Sequence, residues 1–340
     1  MIEKNKLLEV KKFLEKSENP LFFFDDDLDG LCSYALLKKY VDKGKGIILK
    51  TTPNLNIDFL PKVISYNPDI VFILDKPLVD QEFLDKINVP VIWIDHHNPI
   101  ERKGVKYYNP RLKDRSDGRP TSYWCYKIVE ENLWISMLGS IGDYFLPEFS
   151  KEFSKKYPKL IKKIDLDEIK FNSELGKLVK ICSFMLKGKI SEVDNYIDYF
   201  CSINDPHEIL NKTSKKGKLI YDKFDKINKI YEKYLEEGIK TASKDKLLLY
   251  EYSPSQITFN EELANELINK FPKKIVMIAR EKKGYMRLSI RSRKIVIPPI
   301  LEKSLKDLDG SGGGHEHACG ANILKEDFQE FIKRFNELIS

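Results

Sequence analysis

The chain has few cysteines and histidines and no long apolar run. Its five cysteines are scattered among 340 residues without a CxxC pair, which argues against a disulfide framework and favours reduced thiols. No apolar stretch is long enough to cross a bilayer, and the charged start MIEKNKLLEVKKF resembles neither a signal peptide nor a transit sequence. From these absences we expect a cytoplasmic protein. The formal net charge of +6 is mild, so it permits a polyanionic partner without demonstrating one.

Short apolar runs alternate with helical patterns in the first part of the chain. This rhythm predicts an α/β fold, with βαβ units around a parallel sheet that is buried on both faces. A single helix is predicted over Thr121–Leu138, and the lysine-rich sequence after Pro147 predicts helices without strands. The predicted strands are Leu21–Phe24, Ile47–Thr51, Ile70–Leu74 and Val91–Ile94.

The sequence pattern changes near Lys246. The runs LLLYEY, KIVMIAR and YMRLSIRS are strand-like, and helical patterns lie around them, which predicts a smaller C-terminal α/β domain with a mixed sheet. The predicted domains are residues 1–200 with a parallel sheet and a helical extension, 201–243 as a helical linker, and 244–340 as the second domain.

Acidic residues and histidines gather at the ends of the predicted strands. They are, in chain order, Asp25, Asp27, Asp29, Asp75, Asp95, His96 and His97. Because the carboxyl ends of parallel strands meet at one edge of a sheet, we expect these side chains to converge on one crevice. Carboxylates this close together repel unless protons or cations neutralise them. Many carboxylates with a few imidazoles suit manganese or magnesium, and zinc stays open as an alternative.

Each acid also has a simpler interpretation. A single aspartate at a strand end is commonly a helix cap or a turn residue, but three strand ends that all carry acids favour a metal site. Asp143, in SMLGSIGDYFLP, could merely follow a helix that Gly142 closes. Beside the other acids, we interpret Asp143 as a further metal ligand.

Taken in order, these motifs resemble the DHH phosphoesterase superfamily. DDDLDGLCS, the strand-end Asp75, the DHH tripeptide and the later Gly-Asp resemble its four motifs. GSGGGHEHACGAN resembles the glycine-rich signature of the DHH-associated C-terminal domain. The Asp-x-Asp-x-Asp-Gly run looks most like RecJ-type exonucleases and their archaeal relatives. The resemblance implies a DHH domain, a helical connector and a substrate-binding domain.

The resemblance also implies two divalent ions, with manganese favoured over magnesium, that activate water and bind the scissile phosphate. Asp27 and Asp75 would hold one ion, with Asp25 assisting. Asp95 would orient a histidine, and His97 would lie beside the phosphate; Asp75, Asp95 and His97 are therefore the predicted catalytic residues. The implied ligands of the other ion are Asp29, Asp75, His96 and Asp143. Many superfamily members carry a histidine at or just before the first acidic run, where this chain has phenylalanines and Asp25.

Substrate binding is predicted in the second domain. The glycine triplet would form a loop whose backbone N–H groups face an anion, and an arginine fork would match phosphate geometry. A flexible surface loop is the alternative for the triplet, and Arg280 or Arg287 are alternatives for the fork. The predicted substrate-binding residues are Arg291, Gly312, Gly313, Gly314 and His315.

The leading functional hypothesis is a metal-dependent exonuclease for single-stranded DNA or RNA, in repair or replication. The first alternative is a nanoRNase-like enzyme for very short oligonucleotides, or a phosphatase for nucleotides such as pAp. The compact size supports this alternative, because RecJ proper usually carries a further nucleic-acid-binding domain. The second alternative is a non-catalytic replication factor, since archaeal relatives associate with the GINS complex. The retained acids argue against lost activity.

Overall fold

The computed structural model describes residues 1–50, 54–253 and 257–339. The chain forms two compact units, Met1–Phe224 and a second unit from Asp225 onward. This division falls inside the segment predicted as a helical linker, 201–243. The domain boundaries given above stay a prediction.

The first unit contains the expected parallel sheet. Its strands are β1 (Pro20–Asp25), β2 (Lys45–Leu49), β3 (Asn54–Leu55), β4 (Ile70–Leu74), β5 (Leu78–Val79), β6 (Val91–Ile94) and β7 (Lys106–Tyr108). Five of them form one sheet in the order β2-β1-β4-β6-β7, with every neighbouring pair parallel. The edge strand β7 and the small β3–β5 pair were not predicted. Thr51, the last residue of one predicted strand, lies outside the described residues.

The helices that begin in the first unit follow one another along the chain, and the last of them crosses the division after Phe224. They are α1 (Lys4–Lys16), α2 (Leu28–Val41), α3 (Leu60–Tyr66), α4 (Gln81–Asp85), α5 (Thr121–Val129), α6 (Leu133–Gly142), α7 (Ser150–Lys156), α8 (Leu166–Asn172), α9 (Glu174–Met185), α10 (Ile190–Cys201), α11 (His207–Leu210) and α12 (Lys215–Lys240). The single helix predicted over Thr121–Leu138 was wrong. Glu130 and Asn132 both have φ of 58°, and this left-handed conformation interrupts the helical backbone. Among the described helices, none is both long and apolar enough to span a membrane.

Aromatic side chains pack against both faces of the parallel sheet. On one face, Phe24 stacks on Tyr34 of α2 with ring centroids 4.7 Å apart. On the other face, Phe23 meets Phe83 of α4 edge to face at 5.8 Å. All four side chains are buried, so the strands are fixed from both sides. The acids that follow the strands are therefore attached to rigid elements.

The second unit has a mixed sheet, as predicted. Its elements are β8 (Leu247–Glu251), α13 (Asn260–Lys270), β9 (Ile275–Lys282), β10 (Tyr285–Ser292), α14 (Pro298–Leu305), β11 (Gly310–His315), β12 (Ala318–Leu324) and α15 (Phe328–Ile339). The strand order is β11-β12-β10-β9-β8, in which β8 and β9 are parallel and the other pairs are antiparallel. The glycine triplet was predicted as a loop, but it lies in the edge strand β11. Backbone pairing with β12 holds it extended, despite the weak strand propensity of glycine.

Candidate metal centre

Side chains from separate strands and helices meet around His96. The Nε2 atom of His96 lies 3.4 Å from Asp75 Oδ1 and 3.6 Å from Asp143 Oδ2. The described residues contain two groups of potential ligand atoms in which the atoms of each group lie within 4.8 Å of one another, and both groups include His96. The first group is Asp75, His96 and His97; the second is Asp29, His96 and Asp143. The roles of these residues as metal ligands stay a prediction, which we test below against their chemistry.

Asp29 is fixed by the start of helix α5. The backbone N–H of Thr121 donates to Asp29 Oδ2 at 2.7 Å, and that of Ser122 donates to Oδ1 at 2.9 Å. The Ser122 hydroxyl also donates to Oδ1. A carboxylate has about four acceptor positions, so the three bonds leave room for one more partner on Oδ2. The first turn of a helix also favours a negative charge.

Asp75 turns into the same space directly after β4. It adopts φ of 57°, a conformation that is uncommon for residues with a side chain and is often found at functional sites. Its Oδ1 accepts from the Thr121 hydroxyl at 3.1 Å, whereas its buried Oδ2 receives no hydrogen bond from the described residues. Burial and the charges of Asp29 and Asp27 raise the pKa of Asp75 well above its ordinary value. This carboxylate therefore needs a proton or a cation.

His96 is in the protonation state that suits a metal ligand. Its side chain is buried, and burial lowers its pKa to about 4, so the ring is neutral at pH 7. A neutral imidazole offers a lone pair to a metal. An unpartnered carboxylate oxygen on Asp75 and a neutral His96 together form a donor set that fits manganese or magnesium.

Asp143 follows helix α6 and borders the same recess. Burial and the charges of Asp29 and Asp27 raise the pKa of Asp143 well above its ordinary value. Gly139, earlier in α6, lies so close to Ser122 that a Cβ there would overlap the Ser122 hydroxyl. The small residues of α6 thus allow the close packing that brings Asp143 near Asp29.

Asp95 is directed away from this donor set and towards His97. The Asp95 carboxylate is fully buried. It accepts from His97 Nδ1 at 2.8 Å, from the Tyr107 hydroxyl at 3.0 Å and from Asn109 Nδ2 at 3.0 Å. Burial favours the neutral ring of His97, but the hydrogen bond and charge of Asp95 outweigh it and raise the pKa of His97 to about 9. His97 is therefore positively charged at pH 7 and leaves Nε2 for another partner.

Asp25 and Asp27 lie at the end of β1 and have different partners. The carboxylate of Asp27 caps helix α2 by accepting from the Gly30 N–H at 2.8 Å. Although Asp27 keeps contact with solvent, crowding removes much of its hydration. This desolvation and the charges of Asp25 and Asp29 raise the pKa of Asp27 to about 7. Asp25 accepts at 2.7 Å from the ammonium of a buried lysine, Lys76.

Comparisons with known proteins identify the fold of this chain. Residues 260–340 match the family model of the DHHA1 domain. The crystal structure of RecJ in complex with Mn²⁺ from Thermus thermophilus has a TM-score of 0.72 at 16% identity, over 99% of this chain and 55% of that chain. This chain has a RecJ-like fold. The resemblance to DHH-superfamily proteins that the motifs indicated is therefore confirmed, and this RecJ-like chain spans about half the length of the Thermus protein.

Two further relatives cover nearly the whole RecJ-like chain. An uncharacterised protein of Methanocaldococcus jannaschii is 23% identical over 92% of this chain and 91% of its own length. A pGpG-specific phosphodiesterase from Vibrio cholerae has a TM-score of 0.55 at 15% identity, over 95% of this chain and 99% of that one. At these identities the structural likeness establishes the fold.

The predicted substrate-binding residues of this RecJ-like chain lie in the second unit. The guanidinium of Arg291 donates from Nε to Asn265 Oδ1 at 2.7 Å and from Nη2 to Glu261 at 3.3 Å. It is therefore largely engaged within the unit. A Cβ added at Gly313 would meet no atom within 4 Å, so this position of β11 faces open space. The flanking Gly312 and Gly314, and the exposed His315, lie on the same strand.

Some residues around the centre were not predicted. Thr121 and Ser122 orient the acids, Tyr107 and Asn109 hold Asp95, and Lys76 pairs with Asp25. The sequence RPTSYW carried a signal for the helix start that holds the first two, because proline is typical of the beginning of a helix. The others act through partners that are distant in sequence, so no local pattern indicates them.

Proposed function

We propose that this chain is a divalent-cation-dependent phosphodiesterase that removes nucleotides from the ends of single-stranded DNA or RNA. The observation that carries the proposal is the buried Asp75 carboxylate: its Oδ2 receives no hydrogen bond from the described residues, and its Oδ1 lies 3.4 Å from Nε2 of the neutral His96. A carboxylate in this position is costly to bury unless a proton or a cation binds it. The surrounding carboxylates add further negative charge in the same recess.

Asp29, Asp75, His96 and Asp143 are the residues that would hold the cation. A bound dication would lower the pKa of a coordinated water and neutralise the scissile phosphate. Thr121 and Ser122 would keep the ligands in place. Such supporting hydrogen bonds are typical of metal sites.

His97 would act on the phosphate itself. Asp95 occupies its Nδ1, so the protonated ring would direct its Nε2–H outward. This donor would stabilise the negative charge that develops on the phosphate oxygens as the ester bond breaks. The burial of Asp95 and its hydrogen bonds to Tyr107 and Asn109 would keep the imidazole in this orientation.

The second unit would bind the substrate through its phosphates. The open face of β11 at Gly313 allows a phosphate or sugar to approach the backbone closely. His315 lies at the end of this strand and would add a donor. Arg291, held by Asn265 and Glu261, would act as a positioned charge on β10 of the same sheet.

Hydrolysis of very short oligonucleotides is the second candidate. The observation in its favour is that the chain matches 99% of the length of the pGpG-specific phosphodiesterase. Association with GINS or other replication proteins stays a prediction that a pull-down would test.

A length series tests both candidates. End-labelled DNA and RNA, from dinucleotides to long single strands, are incubated with manganese and either wild type or Asp75→Asn. The exposed Asp85→Asn serves as the matched control. We expect wild type and the control to release nucleotides, and Asp75→Asn to be inactive. Activity confined to the shortest substrates would favour the second candidate, and no metal-dependent hydrolysis at any length would contradict both.

A further inference from the structure

A lysine lies inside the acidic centre. Lys76 directly follows Asp75, and its side chain is only 3% exposed. Its Nζ lies 2.7 Å from Asp25 Oδ1. The backbone is also fixed here, because Trp93 Nε1 donates to the Lys76 carbonyl at 3.0 Å. The ammonium is thus held by the fold on the Asp25 side of the recess.

This ammonium would compete with a metal ion for the Asp25 carboxylate. Asp25 and Asp27 follow the same strand, and the charge of Asp25 contributes to the raised pKa of Asp27. A dication near Asp25 would lie a few ångströms from the buried ammonium, where two positive charges repel strongly. The two groups of potential ligand atoms among the described residues contain neither Asp25 nor Asp27.

On the opposite side of the recess, no ammonium of the described residues hydrogen-bonds to the Asp75 carboxylate. There His96 Nε2 lies 3.4 Å from Asp75 Oδ1 and 3.6 Å from Asp143 Oδ2. The acidic residues of the centre are thus neutralised in two ways. A protein ammonium serves Asp25, whereas the His96 side offers ligands for a dication.

We propose that Lys76 takes the charge-neutralising place of one of the two expected dications, so that the centre binds a single divalent ion on the His96 side. This inference rests on the proposed function and specifies its metal site. The near-complete burial of Lys76 keeps it from the substrate, so it is a positioning residue that acts through Asp25. The ion implied for Asp27 and Asp75 is then replaced by the lysine.

Manganese binding in the absence of substrate tests the proposal. Equilibrium dialysis counts the bound ions, and electron paramagnetic resonance distinguishes an isolated manganese ion from a coupled pair. We expect one equivalent and an uncoupled spectrum for wild type. Lys76→Met removes the ammonium with little change in side-chain length, and we expect it to bind two equivalents as a coupled pair. The double variant Lys76→Met/Asp25→Asn should return to one.

Each outcome bears on the proposal separately from activity. Two equivalents or a coupled spectrum in wild type would overturn it, as would a folded Lys76→Met protein that still binds one. The wild-type measurement decides the ion count even if Lys76→Met does not fold. One bound ion without hydrolysis of any substrate would leave the single-ion centre standing and contradict the proposed function. Two bound ions in a wild type that hydrolyses substrate would overturn the single-ion centre and leave the proposed function standing.

Discussion

The Asp95→Asn variant should change the charge of His97 more than any other single change near the centre. Asp95 is fully buried and accepts from the Nδ1 of His97 at 2.8 Å. Its other carboxylate oxygen accepts from the backbone N–H of His97 at 3.2 Å. Asparagine has nearly the same shape, but it removes the negative charge. The pKa of His97, about 9 in the wild type, should therefore fall.

The size of the effect follows from this pKa. At pH 7.5, a ring with a pKa of about 9 is about 97% protonated. Without Asp95, burial still lowers the pKa of His97, and the charges of Asp27 and Asp143 still raise it, so the pKa should fall towards its ordinary value of 6.5. At that value about 9% of the ring is protonated at pH 7.5. If the protonated form of His97 is the active one, hydrolysis should fall by up to about tenfold. Part of this loss should be recovered at pH 6.

The assay is a pH titration of the histidine rings by NMR, in metal-free protein, together with hydrolysis rates from pH 6 to pH 9. The chain has five histidines, so the ring signals can be assigned by single substitutions. Tyr107→Phe is the matched control, because it removes one hydrogen bond to Asp95 and keeps the charge. A His97 pKa that changes by less than about half a unit in Asp95→Asn would refute this reasoning.

Three further predictions concern the support of the centre. Ser122→Ala removes a hydroxyl donor to Asp29 and should weaken manganese binding about tenfold in calorimetry. Ser140→Ala is the control, because its hydroxyl has no hydrogen bond among the described residues, and it should leave the affinity unchanged. Equal affinities of the two variants would count against this role of Ser122. Asp117→Asn should lower the free energy of unfolding at pH 7 by about 2 kcal/mol. Burial of Asp117 is outweighed by hydrogen bonds from the neighbouring arginine, which lower its pKa to about 2. The stabilisation is present above the unfolded pKa of 3.8 and is lost as the pH falls through about 2. Denaturant titrations in which wild type and Asp117→Asn differ equally at pH 7 and at pH 2 would contradict this prediction. Gly139→Ala should destabilise the protein by about 1–3 kcal/mol through overpacking. Gly118→Ala is the control, because a Cβ there would meet open space, and it should not destabilise the protein. Similar melting temperatures for the two variants would contradict the packing argument.

The parallel sheet and its acidic edge could be predicted because their signals are local. A strand that is buried on both faces must be apolar along its whole length, and runs such as LFFF, VFIL and VIWI show this directly. Each run ends at an acidic residue, so the position of Asp25, Asp75 and Asp95 at one sheet edge follows from the parallel topology.

Other parts of the centre depend on contacts between distant residues. The partner of Asp29 is Ser122, 93 positions away, and that of Asp25 is Lys76, 51 positions away. No local pattern encodes such pairs. The break after Val129 arises from left-handed residues that are not glycine, so the helical periodicity did not indicate it. The extended conformation of β11 is imposed by its pairing with β12, against the local preference of glycine.

The most direct test of the metal centre is anomalous diffraction from crystals grown with manganese. We expect an anomalous peak in contact with the carboxylate of Asp75 and with Nε2 of His96, close to Asp143. We expect no peak beside Asp25, where the ammonium of Lys76 lies. A map without any peak among these carboxylates, at manganese concentrations that support hydrolysis, would contradict the account.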